Sequence, residues 1–195
     1  MPFTVNLSNA AIGIATNSKT AVLKLSNGLT ADTLLNAFIN ATNKSFSYMS
    51  LWDPTGQLYI GHPASKLLGV KLKDFPLQVG HAYFIDVPED ANITLFGKLP
   101  GPVSYELKWQ PWGSHNYIIL PLNTSLKWAS DLCNNGNLSG KLDRIGWWDE
   151  ENQTHSDWIR KCSEIIPHFP GYDFKLQPGK SYRLIISQNT TWKQT

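Results

Sequence analysis

Five histidines, two cysteines and a run of three acids are the residues of this chain whose types could do chemistry. His62, His81, His115, His155 and His168 are scattered, and no two lie three or four apart, the spacing that sets two imidazoles on one helical face around a metal. Asp149-Glu150-Glu151, joined by Asp143, offers the hard oxygens that a calcium ion takes on a surface loop. Paired carboxylates also drive glycoside hydrolysis, but nothing in the pattern singles out two. The chain contains no Gly-x-Ser-x-Gly elbow, phosphate-binding loop or dinucleotide fingerprint. The expectation is a protein without catalytic residues, metal or cofactor, and not an enzyme.

Cys133 and Cys162 are the only cysteines, and neither has a flanking His or a Cys-x-x-Cys partner to lower its pKa. They are read as a disulfide staple, with two buried free thiols as the alternative. Eight Asn-x-Ser/Thr acceptors occur, at Asn6, Asn40, Asn43, Asn92, Asn123, Asn137, Asn152 and Asn189. They lean toward an exported glycoprotein, although chains rich in Asn, Ser and Thr also produce such triplets by accident. Ala10-Ala11-Ile12-Gly13-Ile14-Ala15 is too short and too lightly hydrophobic for the apolar region of a leader. A mature chain, or one exported without a standard leader, is therefore expected. Eight Trp and seven Tyr exceed what small cores need, and Trp147 with Trp148 are the candidates for stacking on sugars.

The elements that position these residues come in two copies. Asp74-Phe75-Pro76-Leu77-Gln78-Val79-Gly80-His81-Ala82-Tyr83 recurs 99 residues later as Asp173-Phe174-Lys175-Leu176-Gln177-Pro178-Gly179-Lys180-Ser181-Tyr182, with six of ten positions identical. Upstream, Trp52-Asp53 matches Trp148-Asp149, and Thr30 to Leu35 matches Trp128 to Cys133. A repeat of this length means two domains, assigned to residues 1–100 and 101–195. The acidic run aligns with Asp53-Pro54-Thr55-Gly56, which keeps the turn without the acids, so a solvated turn is expected rather than a calcium site.

Local patterns give each copy its elements. Ala31, Leu34, Leu35 and Phe38 fall on one face of a helix for which Thr30 is the N-cap. Ser125 to Leu132 keeps Leu126, Ala129 and Leu132 at helical spacing. Alternation in Phe3-Thr4-Val5-Asn6-Leu7, Phe46 to Trp52, Tyr83 to Val87 and Tyr182 to Ile186 predicts strands, and Asp53-Pro54-Thr55-Gly56 a hairpin turn with Gly56 at the positive-φ position. The fold class is mainly β or α+β, two homologous β-rich domains of about five short strands and one short helix each.

Asn116-Tyr117-Ile118-Ile119-Leu120-Pro121-Leu122, Ala129-Ser130-Asp131-Leu132, Trp148-Asp149 and Phe174-x-Leu176-x-Pro178-Gly179-x-x-Tyr182 together resemble the repeat module of many archaeal and bacterial cell-surface proteins. The likeness covers nearly all of the second copy and the later two-thirds of the first. The module's Gly-Trp-Asn start survives only as Ser114-His115-Asn116, and Ala82 and Ser181 replace its usual Gly before the last Tyr. The resemblance implies an extracellular, non-catalytic module serving surface layers, appendages or adhesion.

Charged residues are 16% of the 195, with a net charge of +2, so no basic field exists to hold a phosphate backbone. No apolar run approaches the roughly 20 residues of a membrane span. The expected partners are copies of the chain itself and glycans, without nucleic acid or membrane insertion. The first copy ends in the alternating Asn92-Ile93-Thr94-Leu95-Phe96, whereas the second stops at Trp192-Lys193-Gln194-Thr195, which reads as one strand short. An incomplete sheet would invite strand exchange, with Phe3, Val5 and Leu7 as the segment given to a neighbour. The reading is thus a structural subunit of a layer, filament or virus-like particle, with a carbohydrate-binding or adhesive module as the alternative.

Overall fold

The structure, a computed structural model, describes residues 2–7, 20–24, 30–43, 46–65, 74–78, 80–86, 91–96, 102–149, 154–155, 160–169 and 173–194. The chain is mainly β in an α+β arrangement. The first copy runs β1 (Pro2–Leu7), β2 (Thr20–Lys24), α1 (Ala31–Thr42), β3 (Phe46–Asp53), β4 (Leu58–Ser65), β5 (Tyr83–Asp86) and β6 (Ala91–Phe96). The second runs β7 (Val103–Leu107), β8 (His115–Ile119), α2 (Ala129–Cys133), β9 (Leu142–Asp149), β10 (Thr154–His155), β11 (Arg160–Lys161), β12 (Ser181–Ile186) and β13 (Thr190–Gln194). Sheet orders are β1-β6-β2, β4-β3-β5, β13-β7 and β10-β9-β12-β8, with β11 also on β9. Among the described residues, no helix is long and apolar enough to cross a membrane.

The duplication extends to strand register. Leu51 stands opposite Tyr83 and Met49 opposite Ile85 where β3 meets β5; Trp147 stands opposite Tyr182 and Ile145 opposite Leu184 where β9 meets β12. Likewise Leu7 faces Ala91 between β1 and β6, and Leu107 faces Thr190 between β7 and β13. The second copy is therefore not one strand short. Trp192, read from sequence as the stop, is the 1% exposed centre of β13, stacked on Tyr105 at 5.0 Å. Phe3, Val5 and Leu7 lie in a β1 paired with β6 of its own chain, so the missing-strand argument for exchange does not hold.

Among the described residues two apolar cores form. The first gathers Ala31, Leu34, Leu35 and Phe38 of α1 with Met49, Tyr83 and Ile85, the helical face anticipated from spacing. The second gathers Tyr105, Leu107, Ile118, Leu132, Ile145, Leu184 and Trp192 among others. The boundary expected between residues 100 and 101 lies outside the described residues. Thr30 caps α1 as expected, its hydroxyl accepting from Thr33 N at 3.3 Å, and Asn43 closes it at φ 57°. α2 is shorter than the pattern suggested, because the Asp131 carboxylate accepts from the N–H groups of Lys127 (3.0 Å) and Trp128 (2.9 Å) and so starts the helix at Ala129. The turn after β3 also differs. Its positive φ falls on Gln57 (51°), and at Gly56 a Cβ would lie 2.9 Å from Asp53 Oδ2, so a larger residue there would push the Asp53 side chain aside.

The duplicated decapeptide docks each copy's loop against its helix. Residues 74–78 form no strand; Pro76 bridges to Thr30, as Lys175 bridges to Trp128. Phe75 O accepts from Ala31 N at 3.0 Å and Phe174 O from Ala129 N at 2.9 Å. Asp74 Oδ1 accepts from Asp32 N and Phe75 N, and Asp173 Oδ1 from Ser130 N and Phe174 N. The Tyr83 and Tyr182 hydroxyls accept from Gln78 N and Gln177 N, each at 2.8 Å. Gly80 and Gly179 turn the chain at φ 85° and 78°, where a side chain would be strained. The motif satisfies otherwise orphaned helix-start N–H groups. Cys133 at the end of α2 is bonded to Cys162, their Cα atoms 5.7 Å apart across a 29-residue separation. A loop of that length stabilises the fold by roughly 3–4 kcal/mol in the chain-entropy model.

Candidate functional site

The two copies meet edge to edge at β8. On one side β8 is hydrogen-bonded to β12, with Ile118 opposite Tyr182; on its other side Ile118 bridges to His81 at the foot of β5. The tip of the β3–β4 hairpin clamps the start of β8. Gln57 accepts from His115 N (2.9 Å) and donates to His115 O (3.0 Å), and Trp52 Nε1 donates to the same carbonyl at 2.8 Å. Gln110 Nε2 returns a bond to Thr55 O at 3.1 Å. Gly80 is needed here twice over, because besides its positive φ a Cβ would lie 2.7 Å from Val103 Cγ1. A cavity of about 220 Å³ lies inside the junction, lined by Leu51, Trp52, His81, Tyr105, Lys108 and Tyr117 among others.

Side-chain alternation sorts the sheet faces. In β12 the buried residues Tyr182, Leu184 and Ile186 face the core, which leaves Arg183 on the outer face, opposite Tyr117 of β8 and Gly146 of β9. On that face four rings close a cycle of edge-to-face contacts: Trp52–Tyr59 at 4.7 Å, Tyr59–Phe84 at 4.9 Å, Phe84–Tyr117 at 5.1 Å and Tyr117–Trp52 at 5.4 Å. Such geometry brings positive ring edges onto negative faces. The hydroxyls of Tyr59 and Tyr117 lie 3.4 Å apart, and Tyr59 remains 45% exposed. Burial pushes the Tyr59 phenol well above its ordinary pKa, the Tyr117 hydrogen bond adds to this, and the Arg183 charge opposes it. His115, its ring edge-on to Trp52 at 6.4 Å, has a pKa held below 6.5, first by burial and then by Arg183. Arg183 Nε and His115 Nδ1 are buried without hydrogen-bond partners. The corner combines ring faces, phenol hydroxyls and a guanidinium, groups able to hold a small polar ligand.

Of the candidates named from sequence, those with described side chains lie outside this corner. Trp147 is half-buried against the second core, 4.6 Å from Phe174, with Lys180 Nζ 6.0 Å from its ring. Trp148 belongs to β9, and its side chain lies outside the described residues, as do those of Asp149 and His155. Glu150, Glu151 and Asn152 lie outside them entirely, and among the described residues no three His, Cys, Asp or Glu could hold a metal. Asn40, Asn43 and Asn123 are exposed, on α1, at its C-cap and in the turn after β8. Asn137 is exposed but donates from Nδ2 to Thr191 O at 3.2 Å; Asn189 uses only Oδ1, accepting from Trp109 N at 2.7 Å. Asn6 and Asn92 face each other in the β1–β6 ladder. Trp112, at 76% exposure, is the most open aromatic among the described residues.

A second depression, of about 520 Å³, is lined by Ser130, Asp131 and His168 with neighbouring polar residues. His168 Nε2 lies 3.8 Å from Asp131 Oδ1. Ser130 Oγ, however, is buried and donates to Asp173 Oδ2 at 2.7 Å, which makes the serine part of the helix dock rather than a nucleophile.

Sequence reasoning passed over Tyr59, Phe84, Tyr117 and Arg183. One signal was present: Phe84 and Arg183 occupy equivalent repeat positions yet differ in chemistry. Compared with protein-family models, curated proteins and solved structures, the chain matches none of them.

Proposed function

We propose that this chain is a non-enzymatic, extracellular structural protein of the tandem surface-module type that its motifs resemble, a subunit of a layer, filament or particle. The observation that carries the reading is the junction at β8, where His81 of the first copy bridges to Ile118 on the edge strand of the second copy's sheet. The same edge-to-edge contact serves between chains. β4, at the outer end of β4-β3-β5, has no Asp, Glu, Lys or Arg in its eight residues, and Leu58, Tyr59 and Ile60 are all exposed. Charges are the usual guard of such edges. The disulfide agrees with an oxidising compartment. Electron microscopy of the purified protein is expected to reveal ordered fibres or sheets, lost on Ile60→Lys without a change in melting temperature. Monodisperse wild-type particles would sink the proposal.

A second reading, a carbohydrate-binding or adhesive module, is favoured by the ring cycle Trp52–Tyr59–Phe84–Tyr117. An exposed aromatic ring beside phenol hydroxyls is what a pyranose stacks on, and Tyr59 offers one on the outer face, clear of both cores.

A further inference from the structure

We infer that the outer face of the junction binds an acidic saccharide, the carboxylate held by Arg183 and the pyranose laid against the exposed ring of Tyr59, beside Trp52 and Tyr117. The inference deepens the carbohydrate reading and rests on it.

Unmade hydrogen bonds are the first support. Among the described residues three buried side-chain polar atoms have no partner, and two of them, Arg183 Nε and His115 Nδ1, belong to this corner. Native proteins leave few such atoms, because each costs the desolvation of a polar group. Charge is the second. The ion pairs seen among the described residues join Lys108 to Glu106, Arg144 to Asp143, Lys161 to Glu164 and His168 to Asp131, and none includes Arg183. Its positive charge nevertheless reaches both Tyr59 and His115. A planar guanidinium matches a carboxylate with two parallel N–H bonds, so a carboxylate is the group that answers this cation.

Position within the repeat narrows the site further. Arg183 takes the place in β12 that Phe84 takes in β5, so the cation occurs in one copy only and meets the rings of the other across β8. Each chain then has one such site, assembled only when the two copies are joined. A neutral pyranose would use the rings and the Tyr59 and Tyr117 hydroxyls but leave the guanidinium unanswered. That difference sets the preference for an acid.

Titration of the intact chain, followed by tryptophan fluorescence and calorimetry, tests this with sialyllactose, tetragalacturonate, lactose and a tetra-aspartate peptide. Binding of the two acidic sugars at least about tenfold tighter than lactose is expected, the loss typical of one charge-assisted hydrogen bond. Arg183→Met should erase that preference and Arg183→Lys keep part of it, with near-UV circular dichroism checking the fold of each. Should Arg183→Met misfold, Tyr59→Phe must still weaken the acidic sugars. Equal binding of lactose and the acidic sugars overturns the inference and leaves the carbohydrate reading standing. Tighter binding of the peptide than of either acidic sugar overturns it in favour of an acidic protein partner. Binding of none of the sugars removes inference and reading together.

Discussion

Asp74 and Asp173 fill the same repeat position, but their surroundings give them different weight. Asp173 is 7% exposed and its two oxygens accept from Ser130 N, Ser130 Oγ, His168 N and Phe174 N. Asp74 is exposed and accepts from the N–H groups of Asp32 and Phe75. Removing a buried acceptor leaves its donors unsatisfied, whereas exposed donors turn to water. Asp173→Ala should therefore cost about 2–4 kcal/mol in urea unfolding and Asp74→Ala about 1 kcal/mol. Equal costs would mean that the buried network contributes nothing beyond capping. The identity of the two aspartates was legible in the repeat. Their unequal burial was not, because it depends on where residues 168 and 130 arrive in space.

At the scale of elements, Gly80 and Gly179 close equivalent turns at nearly the same φ, 85° and 78°. A Cβ at Gly179 would meet Leu122 Cδ2 at 3.2 Å, the end of an exposed side chain, while at Gly80 it would meet Val103 Cγ1 at 2.7 Å in the other copy. Gly179→Ala is expected to cost the backbone strain alone, about 1–2 kcal/mol. Gly80→Ala adds overpacking and should cost about 1–3 kcal/mol more, read as the difference between the two urea midpoints. A Gly80 cost no larger than that of Gly179 would mean that the copies separate freely. Elements with strong local signals were readable from sequence, such as α1 with its Thr30 cap and the β5 and β12 alternation. α2 was not, since its start is set by one carboxylate reaching back to two N–H groups. β13 was misread because Trp192, taken for the end of the chain's order, sits at the middle of a ladder whose partner lies about 90 residues earlier.

For the whole molecule, stability depends on pH through the junction. His81 bridges to β8 and His115 begins it, and desolvation lowers both pKa values below 6.5, with Arg183 adding to the effect at His115. The unfolded chain then binds more protons than the folded one in the window beneath 6.5. Stability present above that value is lost as pH falls toward the folded-state values. Melting temperature should drop between about pH 7.5 and about pH 5.5, and the double variant His81→Gln, His115→Gln should flatten the drop. An unchanged slope in that variant would assign the pH dependence to other groups. The double variant also reports whether the junction, rather than either core, is the part that acid loosens.

By itself the sequence determined the duplication, the β-rich class, the cap and apolar face of α1, and the two residues able to form the disulfide. Each of these follows from neighbours along the chain or from a fixed repeat offset. Tertiary structure alone decided that the copies meet at β8, that β1 and β13 are paired within the chain, and that Trp52, Tyr59, Phe84, Tyr117 and Arg183 meet on one face. Those residues are up to 131 positions apart. Their meeting depends on strand register and on which sheet edge lies next to which, and neither leaves a local pattern for a linear reading to detect.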